Sequence, residues 1–349
     1  MEHSRYAYLD GIRGIAAILV LTRHTEAFWN FSFYRSYLAV DLFFILSGFV
    51  IANAYDKKLN TNEISIRNFV FTRIIRIYPV YFLSTFICSL ILLKITLSGS
   101  TSNHISITNT LFIIAFSFFI TPSIAQNSAA LFPLNGPYWS LFYELIANFL
   151  YATTRKQLNT KILVIGIVIF WVSLCIGAAI NRNLNIGFTW GTVSIVVGFS
   201  RAMFGILLGL LLHRHINFLS NFVQNKTLPA ISILAILITL TSQSAGQYDP
   251  IIDIFTVTAI FPLCIIMASQ EASKKTKYIC LTLGSASYPI YVLHEPTGEF
   301  FSYLMKNLIV KYAPYSGILL VFFLIAISLL VEKYYDIPLR KWAHKKLFK

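Results

Sequence analysis

Residues 8–24 read YLDGIRGIAAILVLTRH, the start of an apolar run over 11–30 that holds Arg13 near its beginning and His24 deep inside. Eleven steps of about 100° return a helix to nearly the same face, about 16 Å further along its axis. One face of a membrane-embedded helix would therefore carry a permanent cation toward one surface and a proton-transfer group toward the other. Burying both without partners costs several kcal/mol, so the pair marks a site.

The rest of the chain supports the membrane reading. The 349 residues are 56% hydrophobic and only 12% charged, with a mean hydropathy of +0.68, outside the range of an ordinary soluble domain. Apolar runs recur along the whole length, and no polar stretch between them is long enough to bury an independent core. The expected fold is one all-α integral membrane domain over 1–349, with no appended soluble domain. The first run lacks a cleavage site after it and is read as a retained helix. Cys88, Cys175, Cys264 and Cys280 are scattered without close Cys or Cys/His spacing, so neither a disulfide framework nor a metal site is expected. The net charge of +14 comes from short clusters at the ends of apolar runs. Topology explains that pattern and nucleic-acid binding does not.

Membrane helices are expected near 11–30, 37–55, 74–97, 138–153, 162–180, 190–212, 228–243, 251–269, 284–305 and 315–334. Ten spans put both termini on one side. Lys57/Lys58/Arg67/Arg73/Arg76, Arg155/Lys156/Lys161, Arg214/Lys226, Lys274/Lys275/Lys277 and the basic tail share that side, which the positive-inside rule makes cytoplasmic. An eleventh span at 108–122 would invert every later loop, so that segment is expected to be a re-entrant or surface helix. The polar stretches 97–106 (LSGSTSNHIS) and 125–137 (AQNSAALFPLNGP) suit an external lid.

Depth, at 1.5 Å per residue, then groups the residues that can carry chemistry. His24, Asp41 in YLAVDLFFILSGF and Glu144 in GPYWSLFYELIANF fall in one outer layer. A histidine with a carboxylate neighbour is held in one tautomer and made more basic, which suits it to take a proton from an alcohol. A buried polar cluster that only locks helices together is the plain alternative, though Ser, Thr or Asn serve that purpose at lower cost. Toward the cytoplasm, Arg13 faces the level of Arg73 and Arg76 in FTRIIRIYPVYF, a plausible grip for phosphate, although cationic helix ends also follow from topology alone. In SYPIYVLHEP, His294 and Glu295 lie between Pro289 and Pro296, expected to break the helix near mid-membrane. Arg201 is deep enough to need a counter-charge. These groups either line a substrate tunnel or satisfy each other as a buried pair. Gly205 and Gly209 are read as helix packing.

Taken in order, YLDGIRGIAAILVLTRH with its R-x10-H, VDLFFILSGFVI, RIIRIYP, YWSLFYE, SYPIYVLHEP and YYDIPLRKW make a chain that resembles acyltransferase family 3, over nearly all of 6–342. The resemblance implies a multi-pass enzyme of the cytoplasmic (inner) membrane that moves an acyl group, commonly acetyl, from cytoplasmic acyl-CoA to a hydroxyl of an envelope glycan such as O-antigen or exopolysaccharide. It implies Arg13 and His24 as the essential pair, Arg73 and Arg76 as the cytoplasmic arginines and Glu144 as an acidic site residue. Acyl-CoA enters as co-substrate, and no bound cofactor is implied. Because some relatives add a soluble esterase-like domain, the enzyme is expected either to act directly or to use a separate extracytoplasmic partner. Tyr138, Trp139, Ser140, His294 and Arg201 are candidate acceptor contacts; interfacial aromatic belts also account for the aromatics. Buried charges and broken helices also fit a secondary transporter of a small polar or anionic substrate, for which an internal repeat would speak; a purely structural envelope component would not bind CoA.

Overall fold

The computed structural model describes residues 6–98, 106–125, 128–221, 223 and 225–347. Among them helices are the only extended elements and no strand is formed; one isolated bridge joins Ala130 to Thr189. The helices are α1 (Ala7–His24), α2 (Ala39–Ile51, continuing through a π-turn at Ala52–Asp56), α3 (Ile66–Ser98), α4 (Ile107–Phe118), α5 (Tyr138–Thr154), α6 (Thr160–Asn181) and α7 (Thr192–Arg214). They are followed by α8 (Leu228–Thr241), α9 (Gly246–Ala268), α10 (Lys274–Lys311) and α11 (Tyr315–Leu347).

Each of the ten expected segments contains a helix, but the first ends at His24, six residues short of its expected end, so His24 stands at the helix terminus and not inside it. Six helices are long and apolar enough to cross a bilayer: Tyr34–Asn60, Ile66–Ser98, Thr160–Asn181, Thr192–Arg214, Gly246–Ala268 and Tyr315–Leu347. On α6, Ile165, Ile169, Val172, Ile176 and Ile180 are exposed, a lipid-facing surface that water would not tolerate at this extent. The protein is an all-α integral membrane protein. Segment α4, at 12 residues, is about 18 Å long and too short to span. Of the two stretches expected to form a lid, residues 99–105 and 126–127 lie outside the described residues.

Helix starts follow local capping chemistry. Ser106, Asn159 and Ser273 accept hydrogen bonds from the third residue on, Asn109, Ile162 and Thr276, at 3.2, 3.0 and 3.3 Å, satisfying donors that the first turn leaves unpaired.

Close packing around α1 and α2 depends on missing side chains. A Cβ on Gly14 would lie 2.6 Å from Cβ of Leu283, and one on Gly284 2.5 Å from Cβ of Asp10, so α1 lies directly against α10. The expected packing role of Gly205 and Gly209 is met on α7. A Cβ on Gly209 would lie 2.1 Å from the Ile45 carbonyl, and Gly48 on α2 meets the backbone of Ile206 in the same way. These seams hold α1, α2, α7 and α10 together as the core that carries the site.

The prolines of α10 correct one expectation. The helix continues through Pro289 and Pro296, and its non-helical residue is Met305 (φ −145°, ψ 39°). Pro296 nevertheless lacks the N–H that would bind the carbonyl of Val292. That carbonyl instead accepts from Ser84 Oγ at 2.8 Å and Asn135 Nδ2 at 3.0 Å. The segment before α5 is thereby drawn down onto α10, which sets the depth of everything that follows.

Candidate active site

Two cavities of ≈ 850 Å³ and ≈ 900 Å³ of empty space, mouths included, lie end to end along α1 and α10. Arg13 lines the first and His24 the second, while Val40 of α2 and Tyr291 of α10 line both and form the wall between them. Tyr291 is anchored there by its hydroxyl, 2.7 Å from Ser140 Oγ.

The first cavity gathers Arg13, Arg73, Arg76 and Glu144. Arg13 pairs with Asp10 at 3.2 Å, one turn earlier on α1. Arg73 Nη2 lies 2.8 Å from Glu144 Oε1, and Ser47 Oγ donates to the same oxygen at 2.6 Å. Arg76 is the least engaged: its side chain is 39% exposed and its partner Asp336 is 3.7 Å away, closer to Arg340 at 2.8 Å. With three guanidiniums and one facing carboxylate, the cavity is electropositive, as a site for a polyanion requires.

Glu144 therefore does not share a layer with His24, as its distance from the start of its helix suggested. The reason is the drawn-down segment: Gly136 N–H donates to Glu295 Oε2 at 2.6 Å, so α5 begins at the level of the histidines. Six residues into α5, about 9 Å deeper, Glu144 meets Arg73.

Asp41 is also not a partner of His24. It forms a bidentate pair with Arg201, Oδ1 to Nε at 2.9 Å and Oδ2 to Nη2 at 2.7 Å, and both side chains are 1% exposed. Arg201 also donates to the carbonyls of Ile186 at 2.7 Å and Tyr37 at 3.3 Å and lies 5.1 Å from the centre of the Trp139 ring. The expected alternatives for Arg201 resolve accordingly: it lines the second cavity and its counter-charge is Asp41, with no part in pairing His294 or Glu295.

The partners of His24 are the adjacent residues His294 and Glu295. His24 Nδ1 lies 2.9 Å from Glu295 Oε1 and 2.8 Å from His294 Nε2. The proton positions follow from the far end of the network. His294 Nδ1 lies 3.1 Å from the Ile290 carbonyl, which can only accept, so Nδ1 carries the proton and Nε2 of the neutral ring is an acceptor. His24 must then donate from Nδ1, shared between His294 and Glu295. Its Nε2 is left unprotonated and, among the described residues, without a partner. Held from behind in this way, His24 presents a basic nitrogen in one tautomer.

These three groups also offer two ring nitrogens and a carboxylate oxygen within 4.8 Å of one another, a donor set suited to zinc. Ligands at 2.0–2.1 Å in a tetrahedral zinc site stand about 3.3 Å apart. The 2.8 and 2.9 Å separations are those of hydrogen-bonded groups, so the relay describes the cluster better than a metal centre.

The expected acceptor contacts divide. Trp139 lines the second cavity, and Ser140 lines the first, on the dividing wall. Tyr138 and His294 line neither cavity. Tyr138 is fully buried, its hydroxyl 2.9 Å from Ser84 Oγ, and His294 stands behind His24. Their polar groups were visible in sequence, whereas the direction each faces around its helix was not. Arg23 and Tyr291 reach the site without having been singled out for these places; Glu295, expected on a tunnel wall or in a buried pair, lines the second cavity and pairs with His24.

With the geometry in place, comparison with known proteins identifies the class. The acyltransferase domain pattern matches residues 6–332. The chain belongs to acyltransferase family 3. It is thus an acyltransferase, and the transporter reading falls. It is 38% identical over 183 residues to "Protein 2 in picA locus" of Rhizobium radiobacter, covering 50% of this chain and 95% of that protein. It is 34% identical over 90 residues to "Putative peptidoglycan O-acetyltransferase YrhL" of Bacillus subtilis (strain 168), covering 24% of this chain and 13% of that protein. No solved structure is similar enough to count as a match.

Proposed function

We propose that this acyltransferase moves an acyl group, most simply acetyl, from cytoplasmic acyl-CoA to a hydroxyl of an envelope glycan or lipid-linked sugar. It sits in the cytoplasmic membrane with ten spans and both termini inside. The observation that carries the reading is the pair of cavities meeting at Val40 and Tyr291, one lined by three arginines and the other by His24. Arg13, Arg73 and Arg76 hold the phosphates of CoA. The pantetheine arm passes the dividing wall and brings the thioester carbonyl to His24, over the roughly 16 Å of α1 between Arg13 and His24.

At the second cavity the acceptor sugar lies against Trp139 and its aromatic neighbours Tyr37, Phe132 and Phe188, which suit the apolar face of a pyranose ring. His24 Nε2 takes the proton of the sugar hydroxyl as its oxygen attacks the thioester carbonyl. A C–O bond forms and the C–S bond breaks; the thiolate leaves and receives that proton from the imidazolium, giving free CoA and the ester. Glu295 stabilises the positive charge on His24 during transfer. An acyl-histidine route uses the same atoms in two displacements, and trapping of an acylated His24 distinguishes it.

The purified protein in lipid nanodiscs is expected to release free thiol from acetyl-CoA when a glycan acceptor is present, with equimolar ester on the glycan. Failure to bind acetyl-CoA contradicts the reading. Arg76→Gln is expected to raise KM for acetyl-CoA by about tenfold, the scale of one lost charge-assisted phosphate contact, while Asp336 stays paired with Arg340. An unchanged KM removes Arg76 from the donor site.

A further inference from the structure

Arg23 precedes His24 and lines the second cavity. One of its Nη1 protons is used, on the Tyr34 carbonyl at 2.9 Å, and its guanidinium lies 5.2 Å from the centre of the Tyr37 ring. Among the described residues no carboxylate lies within ion-pair distance of it. Glu26, three residues on, is exposed and acts on Arg23 only through space, outside ion-pair distance. The acids nearer the cavity are committed: Asp41 binds Arg201 at both oxygens, and Glu295 has one oxygen on His24 and the other on the Gly136 N–H. Arg35, another arginine of this end, is ion-paired with Asp249 and Asp253. Arg23 is therefore a half-buried cation that forms no ion pair, with only the exposed Glu26 near enough to act on it through space, and it is the neighbour of His24 in the chain.

We propose that Arg23 binds an acidic group on the acceptor, so that the preferred substrate is an anionic sugar. This deepens the acyl-transfer reading and rests on it. A guanidinium on a cavity wall favours a planar or tetrahedral oxyanion that takes two of its N–H groups at once. The aromatic lining holds the ring while Arg23 sets which hydroxyl faces His24. Two kinds of acceptor carry such a group: a sugar with its own carboxylate, and a glycosyl phosphate of the sort that attaches glycans to lipid carriers.

The test uses the full-length protein in nanodiscs, acetyl-CoA, and two matched acceptor pairs. One pair is a uronic-acid oligosaccharide and its carboxyl-reduced form; the other is a glycosyl phosphate and its dephosphorylated sugar. The wild-type enzyme is expected to show a kcat/KM about ten- to a hundredfold higher for the charged member of one pair, and the pair that responds identifies the source of the anion. Arg23→Met is expected to collapse that ratio to near one through KM for the charged acceptor, and Arg23→Lys to restore part of it. Equal use of charged and neutral members by the wild type overturns the proposal without needing any variant. So does an Arg23→Met enzyme that loses kcat on both members alike and keeps its ratio, the signature of a role in tuning His24. Transfer to no acceptor of either kind defeats the acyl-transfer reading itself; transfer without charge preference defeats this inference alone.

Discussion

Replacing His24 by alanine is expected to reduce acyl transfer by about 10²–10⁴-fold, the usual contribution of a positioned general base. The loss should appear in kcat with the donor still bound, because the arginines of the first cavity belong to α1 and α3 at the other end of the site. Helix content and elution behaviour should be unchanged, since His24 sits at the last residue of α1 and its ring opens to a cavity. Glu295→Gln should give a smaller loss: the amide still fills the space between His24 and Gly136 but carries no charge to stabilise the imidazolium. Acetyl transfer to glycan, measured beside acetyl-CoA binding, separates these outcomes. A His24→Ala enzyme within tenfold of the wild type contradicts the assignment.

The largest effect on stability is expected at Arg201. Arg201→Met leaves Asp41 as an uncompensated carboxylate at 1% exposure and releases the carbonyls of Ile186 and Tyr37. Breaking one side of a buried pair costs about 3–5 kcal/mol. Replacing both partners by apolar residues removes the stranded charge, so the double variant should be less damaged than the two single losses added together. Thermal unfolding of the four proteins in detergent gives the coupling directly. A single variant with an unshifted midpoint, or strictly additive losses, contradicts the pairing. The pair matters beyond stability because it joins α2 to α7 and places Arg201 beneath Trp139, on the wall of the proposed acceptor cavity.

Much of this was legible in the chain. Hydropathy located the helical segments because a bilayer allows few alternatives to a helix, and the interval from Arg13 to His24 placed the two at opposite ends of a cavity pair because helical rise is constant. Partner identity was not legible, for two physical reasons. Depth along a helix says nothing about which way a side chain faces, so Asp41, level with His24 in sequence, turned to Arg201 instead. Depth also assumes that helices begin at the membrane surface. α5 begins level with the histidines, where Asn135 binds the carbonyl freed by Pro296 and Gly136 binds Glu295, and Glu144 falls beside Arg73. Pro296 and Glu295 are adjacent in one motif, and together they account for both the misplaced carboxylate and the real partner of His24.

In the proposed reaction the acyl group crosses from the arginine cavity to the histidine cavity within one protein. Proteoliposomes of known orientation test it most directly, with acetyl-labelled acetyl-CoA confined to the face bearing Arg13 and glycan confined to the face bearing His24. Labelled ester is expected on the glycan across an intact bilayer, with CoA released on the donor side and no label with His24→Ala. Label that reaches the glycan only when donor and acceptor share one compartment would contradict that crossing.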